Sequence, residues 1–303
     1  MIKIQVPATS ANIGVGFDCL GLAVSLYSTV YFERNHQKLE ISGCPLEYQN
    51  ESNLIFQAFV KGCTYLNRPV PNLKITIENN IPIARGLGSS AFCIVAGLKG
   101  ASAWFNAKLS KEELLALATE MEGHPDNVAP AIYGKMVASF IDQNNEIQSV
   151  SFNVNDKLQF ITIIPDYQVS TQKARAILPS KMFYQDTTYQ IGHALILTKA
   201  MEQGDLDLIH KSIVDKMHEP YRSKLIPDYQ NTKRICESEN GTMYISGSGS
   251  TMMGIVDNKE NAIHIINKIK KAHPNWRVHH LKLDTKGATN ELVNIDNLTV
   301  NIN

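Results

Sequence analysis

The segment IPIARGLGSSAF (Ile81–Phe92) combines residue types that can hold an anion. Gly86 and Gly88 let the backbone turn its N–H groups toward a negative charge. Ser89 and Ser90 add hydroxyl donors where a helix begins, so the positive end of its dipole helps. A Walker loop requires GxxxxGK followed by Ser or Thr, and a dinucleotide loop requires GxGxxG; this segment has neither pattern. By spacing alone it is either a phosphate-holding loop or a tight turn that opens a helix. A second segment, EGHPDN (Glu122–Asn127), gathers two carboxylates, an imidazole and an amide. There Glu122 is either a ligand for magnesium or an exposed acid at a helix end, where the dipole disfavours it.

The elements that must position these residues can be read from periodicity. MIKIQV alternates as a strand that Pro7 is expected to end, and LKITIE (Leu73–Glu78) alternates again before a turn at Asn79 and Asn80. After the glycine loop, the small residues of SSAFCIVAGLKGASAWF suit a closely packed helix that begins at the loop hydroxyls. Ser110 and Glu113 form a capping box ahead of LLALATEM, with Leu114, Leu117, Ala118 and Met121 on one face. That helix stops near Gly123 and Pro125, which leaves PDN as an Asx-type turn. A polar stretch from Asn144 to Asp156 marks a domain seam. Beyond it follow a strand in LQFITIIP, a helix in TYQIGHALILTKAME, and two strands joined by a Gly/Ser turn in GTMYISGSGSTMMGIV. The segment KENAIHIINKIKKA forms an amphipathic helix with Ile263, Ile266 and Ile269 inward, and WRVHHLKLD closes as a strand. Irregular alternation of strands and helices predicts an α+β protein of two domains, residues 1–155 and 156–303.

Composition bounds the function. With 303 residues, 44% apolar and 19% charged, the chain can bury a proper core. Twenty-nine basic residues balance 29 acidic ones, which argues against a nucleic-acid or membrane-surface binder. Five scattered cysteines include no CxxC pair, so neither a zinc ribbon nor a redox dithiol is expected. No apolar run approaches the ~18 residues of a spanning helix. A soluble, cytoplasmic protein is the expectation.

The full strings say more than their spacing. PIARGLGSSAF resembles the ATP loop of the GHMP kinases, with Phe92 where a small residue is usual. VPATSANIGVGFDCLGLAV (Val6–Val24), EGHPDNVAPAIYGK (Glu122–Lys135), VSTQKARAILP (Val169–Pro179) and HEPYRSKLIP (His218–Pro227) resemble segments of the homoserine kinase family within that superfamily. Lys135 replaces a usual glycine, and SGSGST (Ser246–Thr251) lacks the proline of the family's SGAGPT turn, which should leave that turn looser.

The resemblance implies a ribosomal-protein-like N-terminal domain, a ferredoxin-like C-terminal domain and ATP-dependent phosphorylation of the L-homoserine hydroxyl, by a homodimer. The ATP-binding residues it implies are Pro82, Ile83, Ala84, Arg85, Gly86, Leu87, Gly88, Ser89, Ser90, Ala91 and Phe92. It makes Glu122 the Mg2+ ligand, with Ser90 as a second contact and Glu120 as the alternative acid. Asp126 and Asn127 fall at the reacting hydroxyl, with Asp126 either a general base or a bystander, and His124 structural. Asn12 and Asp18 match residues at the ammonium end of the substrate; Arg175 and Arg222, with Thr171, match those at the carboxylate end. Two other readings stay open: a kinase for a different small alcohol, and a non-catalytic ligand sensor on the same fold.

Overall fold

A computed structural model describes residues 1–293. The first half runs β1 (Ile2–Ala11), β2 (Leu20–Arg34), β3 (Leu39–Ser42), α1 (Leu54–Tyr65), β4 (Leu73–Glu78), α2 (Ser89–Trp104), α3 (Lys111–Glu122), α4 (Pro125–Tyr133), β5 (Met136–Ile141) and β6 (Ile147–Phe152). The second runs β7 (Gln159–Ile164), α5 (Thr171–Ala176), α6 (Tyr184–Gln203), α7 (Leu206–Ser212), α8 (Glu219–Arg222), α9 (Tyr229–Glu237), β8 (Thr242–Ile245), β9 (Met252–Val256), α10 (Lys259–Ala272), β10 (Arg277–Leu281) and β11 (Thr289–Leu292).

The strands form two sheets. One has seven strands in the order β11-β1-β2-β4-β3, with β5 beside the first residues of β2 and β6 beside β5. The other, β10-β7-β9-β8, is antiparallel throughout. With helices between β7 and β8 and between β9 and β10, this is the ferredoxin-like βαββαβ order. The first crossover is enlarged: α5, α6, α7 and α8 precede the packing helix α9, and this enlargement carries both Arg175 and Arg222. Sheet membership changes between Phe152 and Gln159, where the polar stretch puts the seam. The chain does not stay on one side of it, because β11 pairs with β1, Ile2 opposite Leu292.

Several local expectations need correction. β1 does not stop at Pro7; it continues to Ala11 with a register shift between Pro7 and Ala8, where a proline is tolerated. PDN is not a loop but the first turn of α4, with Pro125 at the helix start, where its missing N–H costs nothing. The cap of α2 is Gly88 in the left-handed region at φ 68°, not a loop hydroxyl. The Ser110–Glu113 capping box does form on α3, and Gly123 ends that helix at φ 91°.

In α10 the inward face is Ala262, Ile265 and Ile269, all buried, whereas Ile263 is 43% exposed. Of the expected face, Ile269 is buried and Ile266 packs half-buried against the core, but Ile263 falls outside it, because isoleucines at i, i+3 and i+6 drift off a 3.6-residue period. Ile265→Ala should therefore destabilise the protein by about 2–5 kcal/mol. Ile263→Ala should stay within about 0.5 kcal/mol of the parent. Urea unfolding of the two variants checks the phase; equal losses would refute it.

Candidate active site

A cavity of about 460 Å³ opens between the two sheets. Part of its lining is apolar, from Pro45, Tyr48, Leu54, Ile55 and Ile77. Another part is charged: Asp18, Asp126, Arg175 and Arg222, with Asn12, Asn127 and Thr171. The glycine loop and Glu122 also line it.

The loop owes its course to φ angles that favour glycine: 78° at Gly86 and 68° at Gly88, with Ala84 also positive at 53°. A Cβ at Gly88 would overlap the Thr9 hydroxyl, and one at Gly86 would overlap the Ser246 carbonyl. The α2 helix starts here with Phe92 N–H bonded to Gly88 O at 2.8 Å, so its first-turn amides lack intrahelical acceptors. They can accept an anion at the positive end of the dipole. The far side of the loop is fastened to the other sheet. Ser246 Oγ donates to Gly86 O at 2.5 Å, Thr251 N–H to Arg85 O at 3.1 Å, and Arg85 Nη2 to Asp166 O at 2.9 Å. Ile83, Ala84, Arg85, Gly86, Gly88, Ser89, Ser90 and Phe92 reach the cavity. Pro82, Leu87 and Ala91 do not; they are buried behind the loop.

Glu122 lines the cavity opposite this helix start and accepts the Ser90 hydroxyl at 2.6 Å. Burial pushes its pKa up, opposed by the Ser90 hydrogen bond and the charge of His124. A desolvated carboxylate beside a hydroxyl and an anion-binding loop fits a magnesium ion, which takes one or two carboxylates and completes its shell with phosphate and water. Glu120 is turned away and pairs with Lys61 at 2.6 Å. His124 Nδ1 lies 2.5 Å from Asp126 Oδ1, and this bond raises the imidazole pKa. Asn127 Oδ1 accepts the Thr9 hydroxyl at 2.8 Å.

At the charged end Arg175 makes a bidentate pair with Asp18, Nη1 to Oδ2 at 2.9 Å and Nη2 to Oδ1 at 3.0 Å. Residues expected at opposite ends of a substrate thus hold each other. Arg222, only 3% exposed, donates Nε to Ala174 O at 3.1 Å and Nη1 to Gly247 O at 2.9 Å. Asn12 donates Nδ2 to the same Gly247 carbonyl at 2.9 Å and accepts the Asp18 N–H at 3.1 Å. Thr171 Oγ1 and Ser248 Oγ are 3.3 Å apart. The SGSGST turn is therefore not loose: Ser246 N–H to Thr251 O, Gly249 N–H to Ser246 O and Ser250 Oγ to Tyr167 O tie it without a proline.

Comparison with known proteins decides what this arrangement belongs to. The model of the GHMP kinases N terminal domain matches residues 53–135, and that of the GHMP kinases C terminal domain matches 197–275. The homoserine kinase of Clostridium botulinum is 40% identical over 291 residues, 95% of this chain and 98% of its own. The chain belongs to the homoserine kinase family of the GHMP kinases. A crystal structure of homoserine kinase from Cytophaga hutchinsonii superposes with a TM-score of 0.85 at 28% identity, covering 96% of this chain and 97% of that one. The mevalonate kinase of Methanococcus jannaschii, at 16% identity and a TM-score of 0.71 over 93% and 98%, shares the fold alone.

The site contains groups that sequence reasoning passed over. Thr9 holds Asn127, Gly247 offers its carbonyl to two site residues, and Phe17 lies against both arginines. A threonine in a strand and a phenylalanine beside a glycine carry no pattern of their own. Beneath the arginines, Asp215 accepts the N–H groups of His218 and Glu219, each at 2.7 Å, and the Gln190 amide at 2.5 Å. Glu219 Oε1 accepts Ile245 N–H at 2.5 Å, and Tyr229 Oη lies 3.2 Å from Oε2.

Burial pushes the Glu219 carboxyl up to about 8, against the Ile245 hydrogen bond. An unfolded glutamate titrates near ~4.3, so between there and about 8 the folded state binds the extra proton. Stability must then fall as pH rises through that window, by up to about 1.4 kcal/mol per pH unit. His218, held neutral by burial, acts in the opposite sense, but only below its unfolded value near ~6.5. Urea unfolding from pH 6.5 to 8 should show the decline in the parent and a flatter profile in Glu219→Gln. Matching slopes would contradict the assignment.

Proposed function

We propose that the chain transfers the γ-phosphoryl group of ATP to the side-chain hydroxyl of L-homoserine, yielding O-phospho-L-homoserine for threonine biosynthesis. The observation that carries this reading is the charged end of the cavity. An aspartate and two arginines stand together beside an anion-binding loop, the set that an amino-acid zwitterion requires and a simple alcohol does not. The 40% identity to a protein named homoserine kinase supports the same substrate.

In this reading the first-turn amides of α2 and the Ser89 and Ser90 hydroxyls hold the ATP phosphates, and the apolar lining takes the base. Glu122 and Ser90 hold Mg2+, which when bound neutralises phosphate charge. The substrate ammonium goes to Asp18 and Asn12. Its carboxylate takes over Arg175 and the free edge of Arg222, with Thr171 alongside. Asn127, fixed by Thr9, contacts the reacting hydroxyl. Asp126 accepts the hydroxyl proton as the O–P bond forms and ADP leaves, while His124 holds the other side of that carboxylate. Domains spanning 1–155 and 156–303, with β11 returned to the first, each supply part of the lining that holds both substrates. A cytoplasmic homodimer completes the proposal; the balanced charge suits small-molecule partners rather than nucleic acid or membrane.

ADP release against a panel of hydroxyl acceptors tests the reading directly, with homoserine expected to lead. Preference for a non-amino-acid alcohol would reject it, and no turnover with any acceptor would leave a ligand sensor. Glu122→Gln should lower kcat by about 10²–10³-fold in a folded protein, the usual cost of losing charge stabilisation at the reacting group. Near-normal turnover at saturating magnesium would mean that a different acid holds the metal.

For substrate recognition, Arg175→Ala should reduce kcat/KM for homoserine by roughly 10- to 100-fold, below the range for a fully buried charge pair because the Arg175 side chain is 48% exposed. The loss with 3-amino-1-propanol, which has no carboxylate, should be much smaller. Equal losses on both substrates would refute the carboxylate assignment.

A further inference from the structure

We propose that Phe17 is the positioning residue that makes the arginine pair selective for a carboxylate, an inference that rests on the homoserine reading. Arg175 and Arg222 bring two positive charges to one wall of the cavity, and each disfavours the other. Their anchors are unequal. Arg222 is tied by Nε and Nη1 to two backbone carbonyls, whereas among the described residues the Arg175 guanidinium hydrogen-bonds to Asp18 alone, whose oxygens an incoming substrate ammonium would claim.

Phe17 lies against both guanidinium groups. Its ring centroid is 5.0 Å from Cζ of Arg222 and 5.7 Å from Cζ of Arg175. An aromatic face attracts a cation through its quadrupole without accepting the guanidinium's in-plane hydrogen bonds. A carboxylate at position 17 would consume the donors that the substrate needs, and an aliphatic side chain would leave the two cations opposed with nothing between them. The ring thus gathers the arginines and keeps their N–H edges available.

The ring itself is held independently of substrate. It stacks on the buried His218 at 5.2 Å between centroids and 28° between planes. The loop that carries it is pinned by the enlarged crossover: His218 Nε2, at the start of α8, donates to Gly14 O and Gln190 Nε2, in α6, to Val15 O, both at 2.9 Å. The same Asp215 orients His218 and Gln190. When Asp18 turns to the ammonium, Phe17 retains Arg175 near Arg222, so the ring acts on carboxylate binding rather than on phosphoryl transfer.

Steady-state kinetics of the full chain with homoserine and with 3-amino-1-propanol test this on Phe17→Leu, Phe17→Met and Phe17→Tyr, with thermal unfolding of each. Phe17→Leu should raise KM for homoserine roughly 5- to 30-fold with kcat within about threefold, and should shrink the preference over the amine by a similar factor. Phe17→Tyr, which keeps the ring, should restore most of that preference. Phe17→Met carries the same expectation as Leu and serves if the Leu variant does not fold. Equal losses on both substrates, a loss confined to kcat, or a Tyr variant as impaired as Leu would overturn the role of the ring while leaving the homoserine reading intact. A parent enzyme without preference for homoserine would overturn both.

Discussion

The carbonyl of Gly247 is the point on which the charged end of the cavity depends. It accepts Asn12 from the loop after β1 and Arg222 from α8, so two segments 210 residues apart in sequence meet on one oxygen. The turn that presents it is crossed by bonds from Arg85, Tyr167 and Thr251. A carbonyl with two lone pairs can serve two donors at once, and burial makes either donor costly to leave unpaired. Moving this turn would therefore disturb the Asn12 amide and the Arg222 guanidinium together.

The chain handles its two anions by different means. Phosphate is to be held by backbone N–H groups and a helix dipole, which need no cationic side chain and are fixed by glycine φ angles. In the proposed reading the amino acid is held by charged side chains, of which Asp18 and Arg175 are paired with each other and Arg222 is tied to backbone carbonyls. Pairing Asp18 with Arg175 leaves neither of these two charges unopposed, and in the proposed reading substrate binding exchanges this ionic contact for others. That exchange lowers net affinity but sharpens selection, because a ligand lacking either charge leaves one partner unmatched.

The departures from the family strings have local explanations. Phe92 points into the core and lines the cavity, replacing a small residue with apolar volume behind the loop. Lys135 adopts φ 64° where the family has glycine. It is held there by backbone bonds to Asp284 and Ala23 and by Nζ to Asn153 at 2.9 Å. Those contacts oppose a strain of about 1–2 kcal/mol for a side chain in the left-handed region.

Short-range physics was legible in the sequence. The glycine loop, the capping box on α3, the β8–β9 hairpin and the start of α2 follow from residue types at fixed spacing, where local φ and hydrogen-bond demands decide the outcome. The family strings also brought Glu122, Asp126, Asn127, Arg175 and Arg222 together as candidates before any distance was known. Other features depended on partners far away in the chain. Pro7 could remain in a strand because β2 takes up the register shift, and PDN could open a helix because α4 packs on β1 and β2. In α10 the spacing placed Ile269 on the buried face, but that Ile265 rather than Ile263 joins it was decided by the packing. That Asp18 pairs with Arg175, and that Phe17 faces both arginines, required folding to bring residues 17 and 18 against residues 175 and 222. Propensity acts over a few residues, whereas a charge pair or an aromatic contact depends only on final positions in space, and only the tertiary structure supplies those.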